Sequence, residues 1–307
     1  MSGLKVYYQG VDIYPEVSVG KCWHDMRAWG AMEELSVTFG DTRNLWDSWQ
    51  PKPGDEIAVE DGSARTGRMW VTHVVPRSSR FEVRALSAPE SARERRCKSW
   101  ERVRLMQLLS EVAQRNGLEL EAYGLDDQEY QYVEQDNESD LAFLDRRLTL
   151  EGASMVVYDG TLVAYSGAWA EGQETAGSLE VVPGVDYEFR DDSPRMWGSC
   201  TVTDGTTSGT FAAGDGKALV KVLPFRISSV GEAERFAKGL LREANRESVM
   251  LTVRTDSMLR QYAAGSVLDL DASSAASWSG KAFVARMRHD YFDAKCKVWL
   301  TRPLGGY

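Results

Sequence analysis

Histidine is rare in this chain, and its cysteines are isolated. The 307 residues include three histidines and four cysteines, and no two cysteines form a C-x-x-C pair. Zinc sites need closely spaced cysteine and histidine ligands, so the sequence predicts no metal site. The cysteines are expected to be buried free thiols in a reducing compartment. They are Cys22, Cys97, Cys200 and Cys296.

Long apolar runs are also missing. The chain contains no stretch of about 18 consecutive apolar residues, the length that a bilayer-spanning helix needs. The first ten residues, MSGLKVYYQG, lack the basic start and apolar centre of a signal peptide. We therefore expect a chain that is made in a cytoplasm and has no stable membrane association.

Basic residues are outnumbered by acidic ones. Forty-six acids face 36 bases, which leaves a net charge of −10 and a pI near 5.0. Tight binding of nucleic acid requires clustered lysine and arginine that displace counterions, so this balance argues against it. A channel through which DNA passes without adhering stays compatible with the composition.

Catalytic motifs are absent or incomplete. Residues 214–217 lack the glycine spacing and the hydroxyl residue of a phosphate loop, and Gly-x-Ser-x-Gly does not occur. The carboxylates at 126–129 and 191–192 are neighbours in loops, whereas a glycosidase needs two facing each other across a cleft. His289 and Asp290 would point to opposite faces of a strand. The sequence predicts no enzyme and no cofactor.

The pattern of apolar residues divides the chain into three regions and predicts a mixed, mainly β fold. Residues 1–95 are rich in alternating runs and form a first β domain. Residues 96–168 combine helical and strand patterns in a small α/β module. Residues 169–307 return to strand patterns, with one helix at about 229–246, where Ser229 and Glu232 form a capping box.

Three further segments carry local predictions. Apolar residues at helical spacing predict a helix over 99–116, stopped by Gly117. Residues 167–177, rich in glycine, alanine and glutamate, are interpreted as a linker. Residues 198–216, dense in threonine, serine and glycine, predict a hairpin with a long mobile tip.

The stretch 132–165 is the most informative. A strand is predicted to end at Gln135, and a helix to open at 137–140, with Asn137 as its cap and Asp140 as the capping-box acid. Gly152 ends the helix. Two strands at 155–158 and 162–165 follow, joined by the turn signal Asp159-Gly160. The apolar stripe of the helix consists of Leu141, Phe143, Leu144 and Leu148.

An internal repeat flanks this stretch. The order of glycine, short strand, glycine, long strand, turn and strand begins at Gly54 and recurs from Gly265. The first copy ends with the strand 81–85 and the second with 296–300. Three elements that recur in order at similar spacing favour a duplicated β-barrel over coincidence.

The order Gln-x-x-Glu-Ser-Asp, Phe-Leu, then glycine before a hairpin resembles the hub proteins of contractile phage tails, the late control gene D protein family. The same fold forms the N-terminal hub of type VI secretion spike proteins. The closing run GKAFVARMRHDYFDAKCKVWLTRPL is similar to the last hairpin of that family. The residues that carry the motif are Gln135, Glu138, Ser139, Asp140, Phe143, Leu144 and Gly152.

The resemblance implies two similar tube-type β-barrel domains, 1–95 and 169–307, with the α/β module 96–168 inserted between them. Three subunits would place six barrels in a pseudo-sixfold ring, which joins a hexameric tail tube to a trimeric central spike. The implied partners are two further copies of the chain (a homotrimer), the tail tube protein and the central spike protein. A tape measure protein is a further candidate, and phage DNA would only pass through. The implied location is the virion tail baseplate, assembled in the bacterial cytoplasm.

Alternative functions remain open from the sequence. The chain could be the hub of a phage-tail-like bacteriocin or of another contractile injection system. Since tryptophan and tyrosine also stack on sugars, a carbohydrate-binding β-protein is an alternative of another class, as is a cell-wall hydrolase. Four early tryptophans fit either a barrel core or an interface. They are Trp23, Trp29, Trp46 and Trp49.

Overall fold

Most of the chain forms β-strands. The computed structural model describes residues 3–42, 48–273 and 276–307, and Trp46 lies outside them. In these ranges the strands form sheets of fourteen, two, four and three strands, which confirms the predicted mixed, mainly β class. The strands are β1 Leu4–Tyr8, β2 Val11–Asp12, β3 Ser18–Arg27, β4 Ala31–Met32, β5 Glu34–Gly40, β6 Glu56–Asp61, β7 Ala64–Arg65, β8 Met69–Arg77, β9 Arg80–Leu86, β10 Arg95–Arg104, β11 Glu119–Tyr123, β12 Glu129–Ser139, β13 Ala153–Tyr158, β14 Thr161–Ser166, β15 Gly177–Glu180, β16 Asp186–Asp191, β17 Trp197–Thr203, β18 Ser208–Ala212, β19 Lys217–Val222, β20 Val249–Thr255, β21 Val267–Asp271, β22 Gly280–Asp290 and β23 Lys295–Thr301.

Four α-helices accompany the strands in the described part of the chain. They are α1 Leu105–Arg115, α2 Asp140–Leu150, α3 Gly167–Glu171 and α4 Val230–Asn245. None of these helices is long and apolar enough to cross a bilayer. Short 3₁₀ turns lie at Tyr14–Glu16, Glu90–Arg93, Ser193–Arg195 and Ala276–Trp278.

The fourteen-stranded sheet joins the two ends of the chain. Its strand order is β16-β20-β23-β22-β3-β5-β9-β8-β6-β1-β2, and β21 adds to β22. At the junction β3 and β22 run antiparallel, with His24 opposite His289. One hydrophobic cluster contains buried residues from both ends, such as Phe39 and Val298. The N-terminal and C-terminal strands therefore share a core.

The sequence repeat corresponds to a repeat of strand pairing. In the first copy β6 pairs with β8 and β8 with β9, all antiparallel. In the second copy β21 pairs with β22 and β22 with β23 in the same manner. The predicted strands of both copies are thus present in the predicted order. The division of the chain into three domains stays a prediction.

A second core surrounds α2 and includes the long C-terminal helix. The predicted helix at 229–246 is confirmed as α4, where Ser229 Oγ accepts a hydrogen bond from the Glu232 amide at 3.1 Å. The carboxylate of Glu232 reaches back to the Ser228 amide at 2.7 Å. The apolar face of α4 packs against β17, β18 and α2, in one cluster with Phe143 and Leu148.

The close approach of α4 to the end of α2 predicts a strong effect of one added methyl group. A Cβ at Gly239 would lie 2.3 Å from the Leu150 carbonyl oxygen and 2.6 Å from the Gly152 amide nitrogen. Both are backbone atoms, so the clash cannot be relieved by a rotamer change. We expect Gly239→Ala to lower the free energy of unfolding by about 2–3 kcal/mol in urea titrations.

Gly231→Ala, in the first turn of the same helix, is the matched control. Its nearest neighbour, Ser229 Oγ, would be 4.0 Å from the new Cβ. Because alanine favours helix over glycine, this variant should be unchanged or more stable by up to about 1 kcal/mol. Equal behaviour of the two variants would contradict the packing described.

The predicted helix at 99–116 is wrong in its first third. Residues up to Arg104 belong to β10, which pairs antiparallel with β12, and α1 begins at Leu105. Trp100 and Val103 are both buried although they are three residues apart, because Arg102 between them has a left-handed backbone conformation with φ 48°. The spacing of three residues between Trp100 and Val103 therefore resembles the spacing of buried residues on one face of a helix, although both lie in a strand.

Two loop predictions need correction. Residues 167–177 are not irregular throughout, since α3 occupies Gly167–Glu171 with Ser166 as its N-cap, and β15 begins at Gly177. Their role as a linker between domains stays a prediction. The hairpin at 198–216 is confirmed as β17 and β18, but its tip is short. Asp204 fixes this tip by accepting hydrogen bonds from the amides of Thr206, Thr207 and Ile227 at 2.7–2.8 Å.

Candidate assembly surfaces

A buried carboxylate organises the start of α2. Asp140 has no exposed surface. Arg115 donates to it from Nη2 at 2.6 Å and from Nε at 3.0 Å. Asn116 Nδ2 and Gln135 Nε2 donate to it at 2.8 and 2.9 Å. The four hydrogen bonds connect the end of α1, β12 and the start of α2, so this acid has a structural role.

The cap of α2 is Ser139, whose Oγ accepts a hydrogen bond from the Ala142 amide at 3.2 Å. The prediction of Asn137 as the cap is wrong, as is the predicted strand end at Gln135. Pairing with β10 carries β12 on to Ser139, and Asn137 lies within that strand at φ 46°. Its amide donates to Cys97 Sγ at 3.2 Å. Cys97 is exposed, so the expectation of a buried thiol is wrong for this cysteine, whereas the other three are buried.

The remaining motif residues hold α2 in place through contacts on its exposed side and on its buried side. Glu138 forms an ion pair with Arg146 on the next turn, at 2.5 Å. Phe143 is fully buried and stacks on Trp100 with ring centroids 5.2 Å apart. Leu144 is fully buried as well. Gly152 follows the helix end with φ 65°, a conformation that favours glycine.

The hairpin after the helix has the predicted turn. Strands β13 and β14 pair from Tyr158 and Thr161 outward. Asp159 and Gly160 both have positive φ, 47° and 81°, as a type I′ turn requires. Asp159 Oδ1 also accepts a hydrogen bond from the Arg68 amide at 2.9 Å, which links the hairpin to the first repeat.

Charged groups bridge the sheet junction. Asp25 on β3 accepts two hydrogen bonds from Arg286 and one from Arg288, each at 2.7 Å. Burial raises the pKa of Asp25, but the two guanidinium groups outweigh it, so the net pKa is below the ordinary value. On the core side His24 Nε2 lies 2.8 Å from Glu33 Oε2. These contacts tie the N-terminal half of the sheet to the C-terminal half.

His289 lies in the core, one of the two locations, core or interface, that its alternation with Phe283, Ala285 and Met287 predicts. It is 2 % exposed, and burial, followed by the charge of His24, lowers its pKa from 6.5 to about 4. Phe283 does not share the face of His289, because the strand has a bulge between Val284 and Arg286. Phe283 packs with Trp29 in a separate cluster. No group of three or more metal-binding side chains occurs in residues 3–42, 48–273 and 276–307.

The lowered pKa of His289 predicts a loss of stability in acid. Between pH 6.5 and about 4 the unfolded chain binds a proton at this residue and the folded chain does not. Stability from this group is therefore complete above pH 6.5 and falls by up to about 3 kcal/mol as the pH drops to 4. Urea titrations across this range should show a weaker pH dependence for His289→Leu. His73→Gln, at an exposed histidine, should keep the wild-type slope.

The acidic clusters serve the fold. Asp127 accepts a hydrogen bond from the Met106 amide at 2.9 Å, at the start of α1, and pairs with Arg104 at 2.7 Å. These two contacts lower the pKa of Asp127. Asp191 accepts from the Ser193 amide at 2.9 Å, and this bonding lowers its pKa. Residues 214–217 form the turn between β18 and β19.

The early tryptophans are placed differently from one another. Trp23 lies on the outer face of β3 with the Arg288 guanidinium 4.5 Å from its ring centre. Trp29 stacks on Phe283 at 5.5 Å. Trp49 is 38 % exposed. Trp46, the fourth early tryptophan, lies outside the described residues.

A large groove and an open strand stand out on the surface. The groove, about 1030 Å³ in volume, runs between β12 and residues 223–228. Leu150 of α2 and Leu240 of α4 contribute to its lining. Strand β19 carries two of the three most exposed large apolar residues of the described ranges, Val220 and Val222. Sequence analysis missed both features, because they depend on which strands stay unpaired.

Solved structures with the same architecture come from phage tails. The 43 kDa tail protein of prophage MuSo2 from Shewanella oneidensis superposes with a TM-score of 0.74, at 13% identity over 99% of both chains. The tail protein of Neisseria meningitidis MC58 has a TM-score of 0.73, at 10% identity over 98% of this chain and 96% of that one. The chain has the fold of phage tail proteins.

The tail-protein fold extends to a secretion component. The c3393 protein of E. coli, a component of the type VI secretion system with structural similarity to the T4 tail proteins gp27 and gp5, has a TM-score of 0.60. It is 16% identical over 99% of this chain and 78% of its own length. No protein-family model and no curated protein matches the chain. The resemblance noted in the sequence is confirmed at the level of the fold.

Proposed function

We propose that the chain is the structural hub of a contractile phage-tail baseplate. In this proposal it forms a homotrimeric, pseudo-sixfold ring that joins the hexameric tail tube to the trimeric central spike. The observation that carries the proposal is the duplicated strand unit, β6-β8-β9 and β21-β22-β23, within a chain that has the tail-protein fold. Two copies of the unit in each of three subunits match the six subunits of a tube.

The side chains support a structural role. Asp140, the most buried acid of the motif, accepts four hydrogen bonds from neighbouring side chains, and Asp127 caps α1. The proposed partners are therefore proteins: further copies of the chain, the tail tube protein, the central spike protein and a tape measure protein. Phage DNA passes through the ring, and the chain acts without a cofactor and without catalysis, in the baseplate of a particle assembled in the bacterial cytoplasm.

Mass measurement in solution tests the proposal. Light scattering coupled to size exclusion should give a trimer, either for the chain alone or after co-expression with the spike protein of the same particle. The co-expressed sample also tests the case in which hub subunits stay monomeric until a partner is present. A chain that is monomeric in both samples and binds neither spike nor tube protein would sink the proposal.

The likeness to the type VI secretion component supports a second candidate, the hub of a tail-like bacteriocin or of another contractile injection system. Both candidates use the same ring. Purified particles that contain the chain decide between them, since only a phage carries a capsid filled with DNA. Release of soluble fragments from purified peptidoglycan would instead favour a cell-wall hydrolase.

A further inference from the structure

Strand β12 presents an open edge to the groove. Four consecutive residues, 131–134, line the groove. The alternation of faces is interrupted here, because Tyr130 and Val133 are both buried and the two residues between them are both exposed. β12 pairs with β10 and with no other strand of the described ranges, although Arg146 Nη2 donates to the Glu134 carbonyl oxygen at 3.1 Å. Such an edge offers a row of backbone groups to an incoming strand.

The floor of the groove suits an apolar strand. Leu150, Phe225 and Leu240 contribute apolar surface. Arg147 also lies in the lining; it is only 3 % exposed, and its Nε has no hydrogen-bond acceptor among the described residues. Its guanidinium lies over the ring of Tyr130 at 4.4 Å.

Strand β19 is a second open edge, and its two faces differ. It pairs with β17 and with no other strand in the part of the chain that the structure describes. Val220 and Val222 share one face and are 62 % and 71 % exposed. Lys217 and Lys221 belong to the other face and are exposed too. The strand has no acidic residue.

The two edges are complementary in both polarity and charge. On β12 Val133 points into the core, while Glu134 and Asp136 are exposed on the opposite face. A strand that continues this sheet with its valines on the side of Val133 brings its lysines to the side of the two acids. Cross-strand pairs of opposite charge are favourable, whereas equal charges would repel.

We propose that β19 of a second copy of this chain adds to the edge of β12 in the groove. The inference rests on the proposed function, because it names the strands through which the ring closes. The two strands belong to different sheets and are different surfaces of the subunit, so the contact is head-to-tail. Contacts of this type close into rings when the rotation between subunits allows it. The partner strand also gives the isolated β10-β12 ribbon a third strand.

Charge reversal tests the pairing. Lys217→Glu/Lys221→Glu places acids opposite acids, and Glu134→Lys/Asp136→Lys places bases opposite bases. Each double variant should weaken trimer formation about tenfold or more in a concentration series followed by light scattering. The fourfold variant that carries both changes restores opposite charges and should trimerise like the wild type.

Lys5→Glu/Lys52→Glu is the matched control for the lysine variant, because it changes the net charge by the same amount at exposed lysines elsewhere. It should trimerise normally, and all variants should keep the wild-type melting temperature. If trimers form but the double variants behave like the control, or the fourfold variant fails to recover, the inference is overturned and the hub proposal stands. If the double variants form normal trimers but no longer bind the spike, the groove is a spike-binding site, and this result also overturns the inference. If the wild type forms no trimer alone or with the spike, both fail.

Discussion

Replacing Phe143 with aspartate is expected to lower the free energy of unfolding by more than about 5 kcal/mol, enough to unfold the second core. Removal of a fully buried phenylalanine costs about 3–5 kcal/mol, and an unpaired buried charge adds to this. Phe143 has no exposed surface and stacks on Trp100, so the carboxylate would meet an aromatic ring and not water. Circular dichroism during heating would show an unfolded chain or a transition moved to much lower temperature.

Ala142→Asp is the control for this variant. Ala142 is the exposed neighbour in the first turn of α2, where a negative charge interacts favourably with the helix dipole. The control should therefore keep the wild-type melting temperature or exceed it slightly. If Phe143→Asp melted like Ala142→Asp, the assigned face of the helix would be wrong.

Replacing Asp140 with asparagine is expected to cost about 3–5 kcal/mol, because it leaves the Arg115 guanidinium without its buried counter-charge. The asparagine keeps the shape of the carboxylate but cannot accept from Arg115, Asn116 and Gln135 at once. Denaturant titration measures the loss. Asp126→Asn, at an exposed loop acid, should change stability by less than about 0.5 kcal/mol.

A double-mutant cycle separates the pair from the rest of the network. Arg115→Gln alone should be costly, because Asp140 then remains buried without its bidentate partner. The double variant should cost less than the sum of the two single variants, since neither charge is left alone. Additive losses would show that the two side chains do not act as a pair.

Local signals of the sequence predicted the elements that are held by local contacts. The capping box of α4 and the turn at 159–160 are correct because the groups that satisfy each other are a few residues apart. The repeat was visible because each copy repeats the order of its strands. In these cases the groups that contact each other are also close together in the sequence.

Elements determined by distant partners were missed. β10 imitates a helical stripe, and only its pairing with β12 and the backbone of Arg102 make it a strand. Two partners of Asp140, Arg115 and Asn116, lie at the end of α1, so an acid at a helix start suggested a cap where a buried network exists. Likewise, a pattern of apolar residues identified α4 as amphipathic but not which core it would cover.

The junction between β3 and β22 sets a condition on how the chain is made. Asp25 and Arg286, which meet there, are 261 residues apart. Contacts of such separation are slow to form, because a long loop must close first. As the chain leaves the ribosome, β3 stays without this neighbour until nearly all of the protein has been synthesised. A chain truncated before β22 would leave one edge of β3 unpaired and open to other chains, so premature termination is expected to yield aggregates.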